Sequence, residues 1–238
     1  MAIFKTISSG SIGNCYVLEC SEESIIIELG VSWKEILSGI DYDLKKVKGC
    51  LVSHLHLDHS KSIKNAIASG LDVFSCNEVA TIHPSAKVLE KRKKIEIGGF
   101  KVQPIPLEHS CECYGFLIEH DEFGRLVFCT DCKKIPYRFK KINHFIVESN
   151  YSKDLIIEHM CDDKFNASAS ENHLEINDTL EFLINNYSSD AMNVLLIHLS
   201  SGNADGNLFT TMVKEQTAIS NVSYARPNHV LELMKEEF

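Results

Sequence analysis

The chain has 238 residues, 44% hydrophobic and 24% charged, with 12 glycines and 5 prolines. This composition excludes a collagenous or low-complexity chain and supplies a sizeable core. Twenty-four basic against 33 acidic residues give a net charge of −9. That excludes binding to nucleic acid through a uniformly basic surface, but not a nuclease whose metal ions supply local positive charge.

In chain order, Ile3 to Ile7 and Cys15 to Glu19 read as short strands around a Gly/Ser/Asn turn at Ser8 to Asn14. Ser24 to Glu28 is a third strand. Ser32 and Glu35 form a capping-box pair for a short helix, Trp33 to Leu37. Gly49 to Val52 is a buried strand that ends at Ser53-His54, and Lys61 to Ala68 is a helix closed by Gly70. The middle is strand-rich: Ile95 to Ile97, Lys101 to Ile105, Tyr114 to Ile118, Leu126 to Cys129 and His144 to Val147. Helices follow at Lys153 to Met160, Leu174 to Asn186 and Leu208 to Ile219, with a buried strand at Asn193 to Ile197. The pattern predicts stacked sheets with outer helices. No linker or repeat divides the chain, so residues 1–238 read as one domain.

No apolar run approaches the roughly 18 residues of a membrane helix, and the first ten residues lack the basic-then-apolar pattern of a secretory signal. Nine cysteines, an odd number, then read as reduced thiols in a cytoplasmic protein that makes no membrane contact. Cys15, Cys50 and Cys129 sit in apolar runs. Cys111, Cys113, Cys129 and Cys132 read as thiols lining the approach to a site rather than as a separate zinc site.

The main chemical signal is Ser53-His54-Leu55-His56-Leu57-Asp58-His59, just after a buried strand. In an extended segment His54 and His56 point the same way, while Asp58 and His59 start a turn and reach a second point. This spacing suits two adjacent metal ions, and imidazole with carboxylate suits zinc, manganese or iron. Further ligands are expected at strand ends facing the same edge. His109, Asp131 and His198 each follow an apolar run in that way.

With those three residues, His-x-His-x-Asp-His at 54–59 resembles the hallmark of the metallo-β-lactamase fold superfamily. Within it the chain resembles the YycJ (WalJ) branch, a relative of tRNase Z. Ser8-Ser9-Gly10-Ser11-Ile12-Gly13-Asn14-Cys15 is similar to that branch's N-terminal signature. Glu148-Ser149-Asn150, His198-Leu199-Ser200 and Glu171-Asn172-His173-Leu174 are similar to its later motifs. Glu28-Leu29-Gly30 departs from Asp-x-Gly, Asn172 stands in place of Gly, and Glu175-Ile176 stands in place of Ser-Asn.

The resemblance implies an α/β fold, a four-layer αββα sandwich with its site at one edge of two sheets. It implies two divalent ions, Zn²⁺ or Mn²⁺. His54, His56 and His109 would hold one, Asp58, His59 and His198 the other, and Asp131 would bridge them beside a water or hydroxide. His173 would be the general acid, oriented by Glu148, with Asp58 also catalytic. Ser9 and Asn14 of the first turn, and Ser200 and Ser201 after His198, would contact substrate. The implied reaction is phosphodiester hydrolysis of DNA or RNA from single strands or ends. Hydrolysis of cyclic nucleotides is the alternative, which the net charge and the altered 171–176 segment favour. A metal-binding regulatory module without turnover would need a broken ligand set, and none is visible. A second copy of the chain, in a homodimer, is the expected protein partner.

Two basic runs remain. Lys87, Lys91, Arg92, Lys93 and Lys94 read as a solvated loop. Lys133, Lys134, Arg138, Lys140 and Lys141 follow Asp131 and are the better candidate for phosphate contacts. His83, His120, His144, His159 and His229 read as ordinary surface or core residues.

Overall fold

A computed structural model describes residues 1–159 and 172–235. Glu171, the 160–170 segment and the His159 side chain lie outside that description.

Two seven-stranded sheets face each other. The first contains β1 (Ala2–Ser8), β2 (Cys15–Glu19), β3 (Ser24–Ile27), β4 (Val47–Leu51), β5 (Val73–Ser75) and β6 (Lys87–Val88) in spatial sequence. The second runs β7 (Ile95–Ile97), β8 (Phe100–Leu107), β9 (Cys113–His120), β10 (Gly124–Cys129), β11 (His144–Glu148), β12 (Asn193–Ile197) and β13 (Asn221–Tyr224). The last strand, β14 (Val230–Leu233), returns to the first sheet and pairs antiparallel with β1. Each sheet is antiparallel in its early strands and parallel in its later ones.

The apolar runs of β11 and β12 are continuous because both faces of these parallel strands are covered. Ile146, Leu195 and Ile197 point into the core between the sheets. Phe145, Val147, Val194 and Leu196 point the other way, into a second core with Leu183, Phe209 and Val213. Those last three lie on α6 (Ile176–Asn186) and α7 (Gly206–Gln216), the outer helices of the second sheet. Around the first sheet, α1 (Trp33–Gly39), α3 (Ile63–Ala68) and α4 (Asn77–Ile82) contribute Ile36, Ile63, Ala66 and Val79. Tyr16 joins the sheets, with its ring centroid 5.5 Å from both Phe4 and Phe128.

The Ser32–Glu35 capping box is present, and Gly70 adopts φ +83° after α3. The helix expected from Lys61 begins two residues later. A separate four-residue helix, α2 (Leu57–Ser60), precedes it. Helix α5 (Lys153–His159) occupies the expected place before the undescribed segment.

Candidate metal centre

The strands deliver their polar residues to one edge. His54 follows β4, His109 follows β8, Asp131 follows β10, Glu148 ends β11 and His198 follows β12. Three residues here take left-handed backbone angles: Glu28 (φ 65°), Asp131 (φ 47°) and His198 (φ 54°). Such a conformation costs a non-glycine residue about 1–3 kcal/mol and persists where its surroundings impose it. Gly30 closes the same edge, because a Cβ there would collide with the Asp58 carbonyl.

Two clusters of ligand atoms result. In the first, His56 Nδ1 lies 3.0 Å from His54 Nε2 and 3.2 Å from His109 Nε2. In the second, His59 Nε2 lies 3.3 Å from both Asp58 Oδ2 and Asp131 Oδ1. His198 Nε2 lies 3.5 Å from that Asp131 oxygen and 3.7 Å from Asp58 Oδ2. The other Asp131 oxygen, Oδ2, is 3.9 Å from His54 Nε2, so one carboxylate spans both clusters.

These residues fit metal ions by three observations. A tetrahedral ion with bonds of about 2.0–2.1 Å keeps its ligand atoms about 3.3 Å apart, and the clusters have nearly that spacing. Among the described residues the buried His198 Nε2 has no hydrogen-bond partner, although buried imidazole nitrogens are normally paired. Three imidazole nitrogens also converge, and a neutral ring brings either a proton or a lone pair to such a point. One cation would take all three lone pairs.

Oxygen atoms lie behind the outward nitrogens of four imidazoles. Ser53 Oγ is 2.8 Å from His54 Nδ1, and His109 Nδ1–H donates to the Asn172 carbonyl at 3.2 Å. Glu28 Oε2 sits 3.5 Å from His59 Nδ1. Glu148 Oε1 accepts from His198 Nδ1 at 3.1 Å and from His173 Nδ1 at 2.7 Å. Its other oxygen accepts the Cys132 backbone N–H at 3.0 Å. Partners of this kind fix the tautomer and direction of a ligating imidazole.

Electrostatics follow the carboxylates. Burial pulls His198 down, but Asp131, Asp58 and Glu148 together raise it to about 10. Burial also opposes charge on His173, and the adjacent Glu148 carboxylate wins and raises it. Asp58 would be pushed up by burial, yet the neighbouring His198 and His59 rings hold it well below the usual carboxylate range. His54 goes the other way, lowered by burial and then by the neighbouring His59.

The other expected residues divide. His173 reaches the site through its bond to Glu148, and its ring stacks on His198 at 5.2 Å between centroids. Asn14, expected to contact substrate, is fully buried. Its amide bonds Gly10, approaches the Asp58 carbonyl and lies 3.1 Å from His59 Nε2. Ser9, also expected to contact substrate, is half-buried, and its hydroxyl accepts the His198 backbone N–H at 2.9 Å and pairs with Tyr16. Ser200 is half-buried and Ser201 is exposed, next to His198.

The sequence reading missed Glu28 as a partner of His59 and Ser53 as a partner of His54. Glu28 ends the run Ile25-Ile26-Ile27 with a carboxylate buried at 0% exposure, the same strand-end signal that marked Asp131. Cys113 Sγ is also buried here, 3.9 Å from His54 Nδ1. Cys111 is half-buried beside the first cluster. Burial pushes its thiol up to about 11, against the Leu55 backbone N–H that faces the sulfur.

A further group lies at the other end of β9. Cys20 Sγ is 3.3 Å from His120 Nδ1, and Glu23 lies 3.3 Å from His120 Nε2. Glu122 completes the group, but its carboxylate already accepts the Ser21 backbone N–H and hydroxyl.

Residues 9–65 match the model of the metallo-beta-lactamase superfamily. An exodeoxyribonuclease YycJ from Bacillus anthracis is 25% identical over 171 residues, and the match covers 64% of this chain and 64% of that relative. An exodeoxyribonuclease WalJ from Streptococcus pneumoniae is 22% identical over 224 residues, covering 84% of this chain and 82% of the relative. Among solved structures, the metallo-beta-lactamase fold protein YhfI from Bacillus subtilis superposes with a TM-score of 0.75 at 16% identity, over 98% of this chain and 100% of that one. The fold is therefore the metallo-β-lactamase αββα sandwich.

Proposed function

Taking a metallo-β-lactamase superfamily domain as the premise, we propose that the chain is a dinuclear metal-dependent phosphodiesterase that hydrolyses nucleic acid from single strands or ends. The observation that carries this reading is the pair of ligand clusters spanned by the two oxygens of Asp131. His54, His56 and His109 would hold one ion, Asp58, His59 and His198 the other. Two such ions supply Lewis-acid activation of water and neutralise charge on an in-line displacement at phosphorus.

The chain's own groups do the rest. His173, with Nδ1–H bonded to Glu148, keeps Nε2 for the leaving oxygen. The Glu148 carboxylate raises the pKa of His173 and so favours the protonated ring, and transfer of the Nε2 proton releases the alkoxide as an alcohol. Asp58, with a quarter of its side chain exposed, is the carboxylate of the second cluster open to the attacking water's proton. Glu28, Ser53 and Glu148 fix the imidazoles from behind.

The choice of nucleic acid is supported by the names of the relatives and by charge. Lys133, Lys134, Arg138, Lys140 and Lys141 are exposed just after Asp131, and none pairs with a carboxylate among the described residues. By contrast Lys87, Lys91, Lys93 and Lys94 are bound by Asp72, Glu112, Glu90 and Glu119. The net charge of −9 favours a second reading, a small phosphodiester such as a cyclic nucleotide. We read residues 1–238 as one hydrolase domain of the cytoplasm.

End-labelled single-stranded DNA tests this, with Mn²⁺- or Zn²⁺-loaded protein and His54→Ala as control. Stepwise shortening that vanishes in the variant is expected. Full activity in metal-stripped protein would sink the metal mechanism. An intact oligonucleotide beside a hydrolysed cyclic nucleotide would select the second reading.

A further inference from the structure

We propose that the uncleaved body of a single-stranded nucleic acid lies along β8, on a track of Arg92, Lys133 and Lys134 that leads away from the three-histidine cluster. This deepens the nuclease reading and rests on it. The track joins parts of two basic runs that are distant in the chain. They meet on the strand that leads to His109.

Strand β8 brings the runs together because β7 pairs with it only from Phe100 to Val102. Past that point alternate carbonyls of β8 accept bonds from outside the sheet, in the period of 2 that a strand imposes. The Pro104 carbonyl accepts the Arg92 backbone N–H at 3.0 Å, that of Pro106 the Tyr137 hydroxyl at 2.6 Å, and that of Glu108 the Lys133 backbone N–H at 2.9 Å. Pro104 and Pro106 have no N–H to offer another strand, as befits an edge. These bonds order the cations. Lys133 and Lys134 stand beside Glu108, next to His109, and Arg92 stands four residues back, about 13 Å away. That is the length of roughly four stacked nucleotides of one strand.

Arg92 differs from its neighbours in the first run, whose lysines end on carboxylates. It is exposed, meets no carboxylate within ion-pair distance among the described residues, and lies 5.6 Å from the centroid of the Tyr137 ring. It also takes φ 62°, uncommon for a residue other than glycine. Because the Tyr137 hydroxyl is tied to Pro106, the ring holds the guanidinium on β8 as a cation–π pair and leaves its charge unneutralised. Asp178 and Glu181 share a hollow of about 150 Å³ with Lys134 and Arg138, yet Arg138 donates to Asn185 and to neither carboxylate. The second run then turns away. The Lys140 carbonyl accepts from Arg125, at the start of β10 and the end of the sheet opposite the metal edge. A row of unneutralised cations meets phosphates, so it holds a strand whatever its bases. A cyclic nucleotide has one phosphate, which the metals would take, and the row serves only a longer chain.

Oligothymidylates from the dinucleotide to the 12-mer, given to the metal-loaded full chain, test the track. The wild-type kcat/KM is expected to rise with length to about five residues and then level. Arg92→Ala should raise the KM of the 12-mer at least fivefold, more than that of the dinucleotide, with the change falling on KM rather than kcat. Lys133→Ala combined with Lys134→Ala should act in the same way and more strongly. Each cation removed should flatten the slope of log KM against log salt by about 0.7. Lys87→Ala is the control, since Asp72 already holds that ammonium, and should match the wild type. One KM at every length, or an unchanged 12-mer KM in Arg92→Ala, overturns the track. So does a larger rise from Lys140→Ala with Lys141→Ala than from Arg92→Ala. In each of these cases, hydrolysis that vanishes in His54→Ala leaves the nuclease reading standing. No hydrolysis at any length overturns both.

Discussion

Strand β11 begins at His144 and ends at Glu148, and its neighbour β12 begins at Asn193, one residue short of ending on His198. The two ends of this strand pair carry the same kinds of side chain in different states. At the first end His144 Nε2–H donates to the Phe123 carbonyl at 3.0 Å, and Asn193 donates to His144 Nδ1 at 2.9 Å. Every polar atom of that ring has a partner. At the other end His198 gives Nδ1–H to Glu148 and leaves Nε2 without one among the described residues. The Cys20–His120–Glu23 group, at the far end of β9, belongs with the first type. Histidine, thiol and carboxylate within reach of one another do not make a metal site. What sets the second end apart is a buried imidazole nitrogen, unpaired among the described residues, beside two carboxylates and a second ring.

The widest difference between the ends should appear on removing the residue that joins the clusters. Asp131→Asn keeps the shape but removes the negative charge and one of the two oxygens that span the clusters. Loss of turnover on the order of 10³-fold or more is expected, about 4 kcal/mol of barrier. Metal content should fall with it, measured by elemental analysis after desalting. An active Asp131→Asn enzyme would remove this end's claim to be a metal centre.

Next comes His173. It touches Glu148 but belongs to neither ligand cluster, so His173→Ala should lower kcat by about 10²–10³-fold while both metals remain. A drop in metal content instead would make His173 a ligand. In the wild type the alkaline limb of activity should reflect the raised His173, with the protonated ring needed and activity lost as pH rises through its pKa.

How far the sequence reaches follows the same division. His54, His56, Asp58 and His59 are legible because their spacing is local, and β2 is read with its exact ends. Asp131 and His198 are legible because a single polar residue interrupts an apolar run. Glu28 escapes because its partners, Ser53 and His59, are distant in sequence and meet it only through the β3–β4 pairing. The surroundings of Asn14 are not legible because a polar residue in a Gly/Ser turn looks solvent-facing, while here the turn folds back on Asp58. Strands β5, β6, β13 and β14 escape because two to four residues carry too little periodicity.

His144 sharpens the comparison through pH. Burial lowers it to about 4, despite its bond to the Phe123 carbonyl. The unfolded chain, with an ordinary His near 6.5, therefore binds the proton first. Stability is complete above about pH 6.5 and falls as pH drops toward 4, by about 3 kcal/mol for this one group. Urea unfolding across that window, compared with His144→Gln, should show a shallower acid limb in the variant. Equal limbs would mean that His144 accepts its proton while folded.

Glu148→Gln should be milder than loss of a ligand. The amide keeps one acceptor for His198 and His173 but loses the charge that orients both. Weakening of metal affinity by about 10–100-fold is expected, with slower turnover even at saturating metal. Competition with a chromophoric chelator measures the first effect and a kcat at high metal the second. Unchanged affinity would confine Glu148 to His173.

The smallest effect belongs to the far end, where the comparison is easiest to break. His120 is stacked between Phe100 and Phe123, at 4.8 and 5.6 Å between centroids, and its nitrogens are taken by Cys20, the Glu122 backbone N–H and Glu23. Its carboxylate neighbours are themselves engaged, Glu122 by Ser21 and Glu23 by the Gly99 backbone N–H. His120→Gln should therefore cost about 1–2 kcal/mol through lost packing and hydrogen bonds. Metal per chain and kcat should not move, since β9 spans about 23 Å between His120 and Cys113. Loss of one metal equivalent in His120→Gln would mean that a cation outcompetes those hydrogen bonds. Full pairing would then no longer distinguish a structural cluster from a metal site.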